Sequence, residues 1–298
     1  DETAVLLSEE HYSMPETSTT IKSGSIVSPE LPIEFINTGE LDIKTTYVLP
    51  VTIKSVEGIG VLQSAKTYYY VFRGASLINV VCNISRNRAY PDFKNDSKFN
   101  NLTENTMEIL FKANSFPNTL NTLMGIESNY LLRIGDATIP NNQLQVATSV
   151  NNCTSADLQL ESGKWYHVAV AFNKGNVKVY INGVEKLSGS TGKSSVSLGA
   201  KHTNEEDGSR CFWVGYSYKD DRYFDGVVSE VRIWNRALTA EEIQATNHFY
   251  TIEPESEGLI AYWKFDEGSG TVAKDYSVSG YDLTIEKEPK WESVSLPQ

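Results

Sequence analysis

WYHVAVAFNKGNVKVYINGVEK, residues 165–186, decides the fold. Two runs of β-branched and aromatic residues are broken by NKG, and a second break falls at Asn182-Gly183. Side chains alternate between the two faces of a strand. Tyr166, Val168, Val170 and Phe172 therefore share one face, and Trp165, His167, Ala169 and Ala171 the other. In the next run Val177, Val179 and Ile181 share a face, with Lys178 and Tyr180 on its reverse. Asn-Gly tolerates the positive φ of a type I′ turn and is the strongest short hairpin signal. The stretch predicts back-to-back hairpins with one side on a core and the other partly open.

Similar signals recur on both sides of it. Strands are predicted at 105–113, 130–136, 143–150, 211–218, 226–235 and 259–265, separated by Gly, Asn and Asp turns. Many short strands so spaced predict an all-β sandwich. Thr239 and Glu242 form a capping box, so a short helix is expected over 240–247. Upstream, 30–36, 45–53 and 66–72 read as strands, with Pro50 demoting the second to an edge or bulged strand. Composition shifts after Phe72, and the polar, Asn-rich, basic stretch 83–101 reads as loops that open a second domain. The boundary is expected near 75–80, giving a small β domain over 1–78 and a larger one over 79–298.

The bulk numbers bound the function. With 298 residues and 40% hydrophobic content the chain can bury a substantial core. A net charge of −12 repels phosphate backbones and argues against nucleic acid as a partner. Neutral ligands remain, as do anionic ones bridged by calcium. Cys82, Cys153 and Cys211 lack CxxC spacing, so no zinc ribbon or redox motif is supported. One disulfide of unassigned pairing and three buried thiols are both open. No apolar run reaches the ~20 residues that span a bilayer. No signal peptide is present, and the chain opens at Asp1 without Met, as a mature or trimmed chain would.

Residues 164–185, followed by FDGVVSEVRIWNRALTAEEI at 224–243, resemble the laminin G-like type of the concanavalin A-like lectin/glucanase superfamily. LIAYWKFDEGSGTVAKDYS, 259–277, matches another hallmark of that family. That hallmark usually opens the domain and here closes it, which implies a circular rearrangement. The likeness covers roughly residues 80–298. The first ~78 residues, through LDIKTTYVLPVTI at 41–53, are similar to a small β domain of unknown function that precedes lectin-like domains in Bacteroidetes surface proteins. The resemblance implies a concanavalin A-like jelly-roll β-sandwich behind a small β-sandwich-like domain. It also implies a lipid-anchored or secreted protein at the bacterial cell surface or outer membrane, serving polysaccharide utilisation. An oligo- or polysaccharide ligand and other outer-membrane glycan-uptake proteins are the partners it implies. The N-terminal domain shows no site and reads as a spacer or docking module.

Catalytic motifs are missing. The Glu-x-Asp-x-(x)-Glu strand of retaining endoglucanases, a Gly-x-Ser-x-Gly elbow and His-Glu-x-x-His do not occur. Glu205, Glu206 and Asp207 are adjacent in a polar loop. By alternation, Glu127, Asn129 and Arg133 share one side, against Tyr130, Leu132 and Ile134 on the other; Gln143 and Gln145 likewise oppose Leu144 and Val146. Planar amide, carboxylate and guanidinium groups suit paired sugar hydroxyls; the plainer reading is a solvated face with a Glu–Arg pair. Tyr216, Tyr218, Arg222 and Tyr223 are candidate stacking and gripping contacts on a rim loop. Asp136 enters as a further polar contact and, with Glu127, as an acid pair should the protein be a glycoside hydrolase instead. Asp220, Asp221 and Asp225 could give oxygen ligands to calcium, which is frequent on loops of the superfamily, or be plain surface acids.

Glu230 and Arg232 read as a structural pair, Trp165, Trp213, Trp234 and Trp263 as core, and His167 as a packed histidine. His11, His202 and His248 fall in unrelated segments with no cluster expected. Non-catalytic glycan binding is the leading expectation. A glycoside hydrolase and a protein-adhesion module are the alternatives.

Overall fold

The computed structural model describes residues 4–42, 45–73, 77–202 and 210–297. Glu205, Glu206 and Asp207, and part of the expected domain boundary, lie outside the described residues. The chain divides into one unit of Asp1–Leu77 with Leu296–Gln298 and another of Ile78–Ser295. In the first unit β1 (Val5–Leu6) runs parallel to β4 (Thr46–Thr52), which pairs antiparallel with β5 (Thr67–Arg73). β2 (Tyr12–Ser13) and β3 (Glu34–Phe35) form a separate ribbon. Leu7, Leu41 and Leu49 are its small buried core. The Val48 carbonyl accepts from Leu7 N, so even-numbered positions of β4 face β1. β1 ends before Pro50, so the missing proline N–H interrupts no ladder.

In the second unit the strands are β6 (Ile78–Asn83), β7 (Ala89–Pro91), β8 (Glu104–Ala113), β9 (Asn121–Ile126), β10 (Tyr130–Asp136) and β11 (Ile139–Thr148). The opening stretch supplies β12 (Trp165–Asn173), β13 (Asn176–Ile181) and β14 (Val184–Ser190). β15 (Trp213–Val214), β16 (Gly226–Trp234), β17 (Leu259–Trp263), β18 (Val272–Ala273), β19 (Leu283–Ile285) and β20 (Lys290–Leu296) follow. One sheet has seven strands in the order β11-β10-β9-β15-β7-β19-β18. The other has eight, β14-β13-β12-β8-β16-β6-β20, with β17 also paired to β16. The closing hallmark 259–277 thus contributes β17 to the eight-stranded sheet.

Both hairpin turns form as read. Lys174-Gly175 and Asn182-Gly183 are two-residue loops with φ of 46°, 95°, 49° and 76°. Val168, Val170, Phe172, Val177 and Val179 face the core between the sheets. The stretch 83–101 is less loop-like than its polarity predicts. It carries β7, and Phe93 and Phe99 stack 3.8 Å apart in the core. Trp213, Trp234 and Trp263 are buried, but Trp165 is only half-buried, with the Lys112 ammonium 5.2 Å over its ring. The three cysteines are buried and form no disulfide with one another. Among the described residues no helix is long and apolar enough to cross a membrane.

The largest departure from the sequence reading concerns the reverse of β12. It is closed, because residues 236–256 fold across it and bury Ala169, Ala171 and Tyr180 beneath Leu238, Ile243 and Phe249. The capping box of α1 (Ala240–Ile243) is present, but the helix lasts four residues and ends short of Asn247. The next bonds reach back three residues, Ala245 N to Glu242 O and His248 N to Ala245 O, and Asn247 turns left-handed at φ 62°. That turn drives His248 under the strap, where it meets His167. The two histidines expected to be unrelated therefore form a cluster.

At the centre of that face lies the Glu108 carboxylate of β8, fully buried. Its Oε1 is 2.6 Å from His248 Nε2 and 3.3 Å from His167 Nε2. Its Oε2 accepts from Trp234 Nε1 at 2.6 Å and stands 3.7 Å from Arg232 Nη1. Arg232 pairs with Glu230 and donates to the His248 carbonyl at 2.7 Å. The Tyr262 hydroxyl donates to Glu230 at 2.6 Å. Glu230 sits at a bulge of β16 with φ 49°, which turns its carboxylate onto Arg232. The structural pair expected from sequence is thus part of a larger buried network.

Burial alone would raise the Glu108 carboxyl, but the two histidines and Arg232 outweigh it and hold the group well below its usual range. Burial depresses the His167 imidazole more than Glu108 raises it. Both groups take up protons more readily in the unfolded chain, so stability is full above their ordinary values and falls as acid is added. The melting temperature should drop between about pH 7.5 and pH 5.5 through His167. Thermal melts of His167→Gln should show a smaller drop over that window; an unchanged slope would remove His167 as the cause.

Candidate functional site

With one face of the eight-stranded sheet closed by the strap, the outer face of the seven-stranded sheet holds the polar residues expected to act. β10 and β11 pair Arg133 with Gln145 directly. Arg133 donates to Gln145 Oε1 through Nε at 2.9 Å and Nη2 at 2.6 Å, and to Asp136 Oδ2 at 2.6 Å. Asp136 also accepts from Ala137 N at 2.7 Å. Alternation placed Arg133 and Gln145 on one face correctly, but the structure buries them to 7% and 3% exposure. Gln143 turns away, donating to Thr154 Oγ1 at 2.9 Å.

A second group forms where 215–224 folds back beside β9. Thr122, the β9 neighbour of Arg133, donates to Ser217 at 2.9 Å and ties this segment to the sheet. Arg222 Nη1 lies 3.2 Å from Glu127 Oε2, and Nη2 donates to the Tyr218 hydroxyl at 3.2 Å. The Tyr218 ring is half-buried, with Arg222, Lys219 and Arg210 cations 4.7, 5.5 and 5.7 Å from its centre. Asn129 is not brought here. Its amide donates to Ser197 O at 2.6 Å and accepts from Lys193 Nζ at 2.9 Å, pinning the β9–β10 turn to the 193–197 segment.

A third group could not be assembled from sequence. Tyr216 is not an exposed platform; it is 4% exposed, against Trp213 and Tyr223 with the Arg88 guanidinium 4.5 Å over its ring. Gly215, at φ 79°, makes the bend that tucks it in. Arg88 also lies 5.0 Å from Trp213 and pairs with Glu286. Tyr90 and His202 stack face to face, centroids 3.6 Å apart. Tyr90, His202 and Tyr223 are half-buried. Burial pushes the Tyr223 hydroxyl up to about 12, so it stays a neutral donor. Arg88 and Tyr90, two apart, carry the one local signal that could have found this patch.

The three aspartates are separated in role. Asp225 accepts from Ser85 Oγ at 2.7 Å, Ser115 Oγ at 2.6 Å and the Asn114 amide at 3.3 Å. Burial raises its carboxyl, but these donors outweigh that and lower it. Asp220 and Asp221 sit on an exposed turn, Asp221 3.9 Å from Arg222. Among the described residues, the set of three ligand-type side chains whose atoms converge is Glu108, His167 and His248.

Comparison with known proteins identifies the family. The family described as the concanavalin A-like lectin/glucanases superfamily matches residues 87–244, and the chain belongs to it. A family described as an N-terminal domain matches residues 1–60. No curated protein matches the chain. Among solved structures, a candidate carbohydrate binding protein from Bacteroides ovatus is 25% identical, covering 98% of this chain and 81% of its own, at a TM-score of 0.64. Domain 4 of the Geobacillus stearothermophilus arabinanase AbnA, in complex with arabinotriose, is 19% identical over 72% of this chain and 91% of its own, at 0.42. A pentraxin of Limulus polyphemus is 14% identical over 58% and 83%, at 0.40.

Arg133 carries the structural pairing of the plainer sequence reading, but with Asp136 and Gln145, while Glu127 pairs with Arg222. Removing Arg133 would leave Gln145 Oε1 without its donor in a buried setting and Asp136 with only the Ala137 N–H. Arg133→Ala should cost about 2–3 kcal/mol in denaturant unfolding; a loss under about 0.5 kcal/mol would return it to the surface class.

Proposed function

We propose that this member of the concanavalin A-like lectin/glucanases superfamily is a non-catalytic carbohydrate-binding protein, taking an oligo- or polysaccharide on the outer face of its seven-stranded sheet. The observation that carries the reading is two sets of half-buried rings: Tyr218 with Arg222 over it, and Tyr90, His202 and Tyr223 packed around Trp213 and Tyr216, over which Arg88 lies. Rings stack on the apolar faces of pyranoses while forked cations reach hydroxyls at fixed spacing. The likeness to the Bacteroides ovatus protein spans both units and supports the same ligand class.

Several features favour binding over hydrolysis. Glu127 and Asp136, the acid pair of the hydrolase alternative, are each held by an arginine. Glu108 and Glu230 do have environments that push them apart, one lowered and one raised by burial, as in an acid–base pair. Both are enclosed by the strap, out of reach of a sugar. A place at the bacterial surface beside glycan-uptake proteins, and calcium held at Asp220 and Asp221 with Asp225 bracing the turn, complete the proposal.

A glycan array with and without calcium, each hit incubated overnight and checked for cleavage, tests it. An intact glycan should bind, with at least tenfold weaker affinity for Tyr218→Ala, equivalent to about 1.4 kcal/mol. That variant should melt within about 4 °C of wild type, since one half-buried ring is worth about 1 kcal/mol. Cleavage products, or unchanged affinity in both Tyr218→Ala and Arg222→Ala, would refute the reading.

A further inference from the structure

His167 poses a question that the fold alone does not answer. The ring is fully buried, yet among the described residues neither nitrogen has a hydrogen-bond partner. Its Nε2 stands 3.3 Å from Glu108 Oε1, but off the line a hydrogen bond requires. Buried polar atoms in native interiors are nearly always satisfied, and an exception needs a reason. His248 Nε2 approaches the same oxygen at 2.6 Å. One atom from each of Glu108, His167 and His248 thus converges within 4.8 Å. They come from β8, β12 and the turn after α1, so tertiary folding assembles the set.

We propose that Glu108, His167 and His248 form a structural site for a divalent transition metal of the zinc class. Two imidazole nitrogens and one carboxylate oxygen suit zinc, at about 2.0–2.2 Å from each atom. Tetrahedral ligands at that range stand about 3.3 Å apart, close to the His167–Glu108 separation. Calcium and magnesium require oxygen-rich shells and do not fit. The second carboxylate oxygen is committed to Trp234 and Arg232, leaving Oε1 directed at the histidines. Such outer partners orient a ligating carboxylate. Arg232 is itself neutralised by Glu230. With neutral imidazoles the two carboxylates and the guanidinium sum to −1, so the enclosed space favours an added cation. His248, at 5% exposure, marks the edge through which the ion and a fourth, water ligand would reach the site. The ion would staple the 236–256 strap to β8 and β12, independently of any sugar on the opposite sheet.

The experiment uses the full chain, stripped with a chelator, dialysed and confirmed folded. Co2+ is followed by visible absorption and Zn2+ by calorimetry and thermal melts. The expected result is one equivalent bound, ligand-field bands with Co2+, and a higher melting temperature with Zn2+ but not Ca2+. His248→Gln, at the edge of the core, should lose at least tenfold in affinity while remaining folded. Glu108→Gln should do the same, and if it fails to fold, the wild-type titration and His248→Gln still decide. Folded wild type that binds no equivalent of either metal overturns the proposal. So does stoichiometric binding undiminished in His248→Gln, which would place the ion elsewhere.

Discussion

A buried guanidinium organises this sandwich. Arg232 has no exposed surface, and a charge so placed must be paired and hydrogen-bonded. Its partners come from every layer around it: Glu230 from its own strand, Glu108 from the neighbouring one, and the His248 carbonyl from the strap. The β16 bulge exists at this point, with Glu230 held left-handed, a conformation that costs a bulky residue of order 1–3 kcal/mol. The pairing of Arg232 with Glu230 offsets that strain. Without the strap, the His248 carbonyl would be lost and the guanidinium would open to water. Closure of this face and the register of β16 against β8 are therefore one problem with one solution.

Closure has a consequence for function. The strap is fastened along its length: Thr106 accepts from Leu238 N, Gln244 donates to the Gly183 carbonyl, and Arg236 pairs with Glu242. The sheet face beneath it is closed to a ligand. The outer face of the seven-stranded sheet is different in kind, because Tyr90, His202, Tyr218 and Tyr223 are only half-buried there. The two sheets divide the work, one holding the fold and the other presenting a surface.

What the sequence revealed follows the range of the interactions. The hairpins of 165–186 were legible because alternation and two-residue turns are local physics, and the Thr239–Glu242 capping box was legible for the same reason. The alternation that put Arg133 beside Gln145 was also local, but their mutual saturation was not. Asp225 looked like a calcium ligand beside Asp220 and Asp221, yet its partners Ser85 and Ser115 lie 140 and 110 residues away. The Glu108–His248 contact spans 140 residues. No spacing rule reaches so far. The short helix was over-read because a capping box marks where a helix starts and not where it ends, and the chain leaves the helix after Ile243 to deliver His248. Tyr216 was misjudged because Gly215 bends the chain inward, and only the packed structure shows what lies beneath.

The chemistry of the open face sets what kind of binding it can support. Its cations are already engaged: Arg133 with Asp136, Arg222 with Glu127, Arg88 with Glu286. A sugar hydroxyl must exchange with these contacts or add to their free donor positions, so the net gain per hydrogen bond is small, about 0.5–1.5 kcal/mol. Stacking on a ring already fixed by a cation carries little ordering cost, because the ring has no rotamer freedom left to lose. Shape and ring placement should therefore govern which sugar is held, and polar contacts should govern its orientation. Affinity at one such surface would be modest, and a polysaccharide, with many equivalent segments to rebind, would compensate through multivalency rather than through any single tight contact.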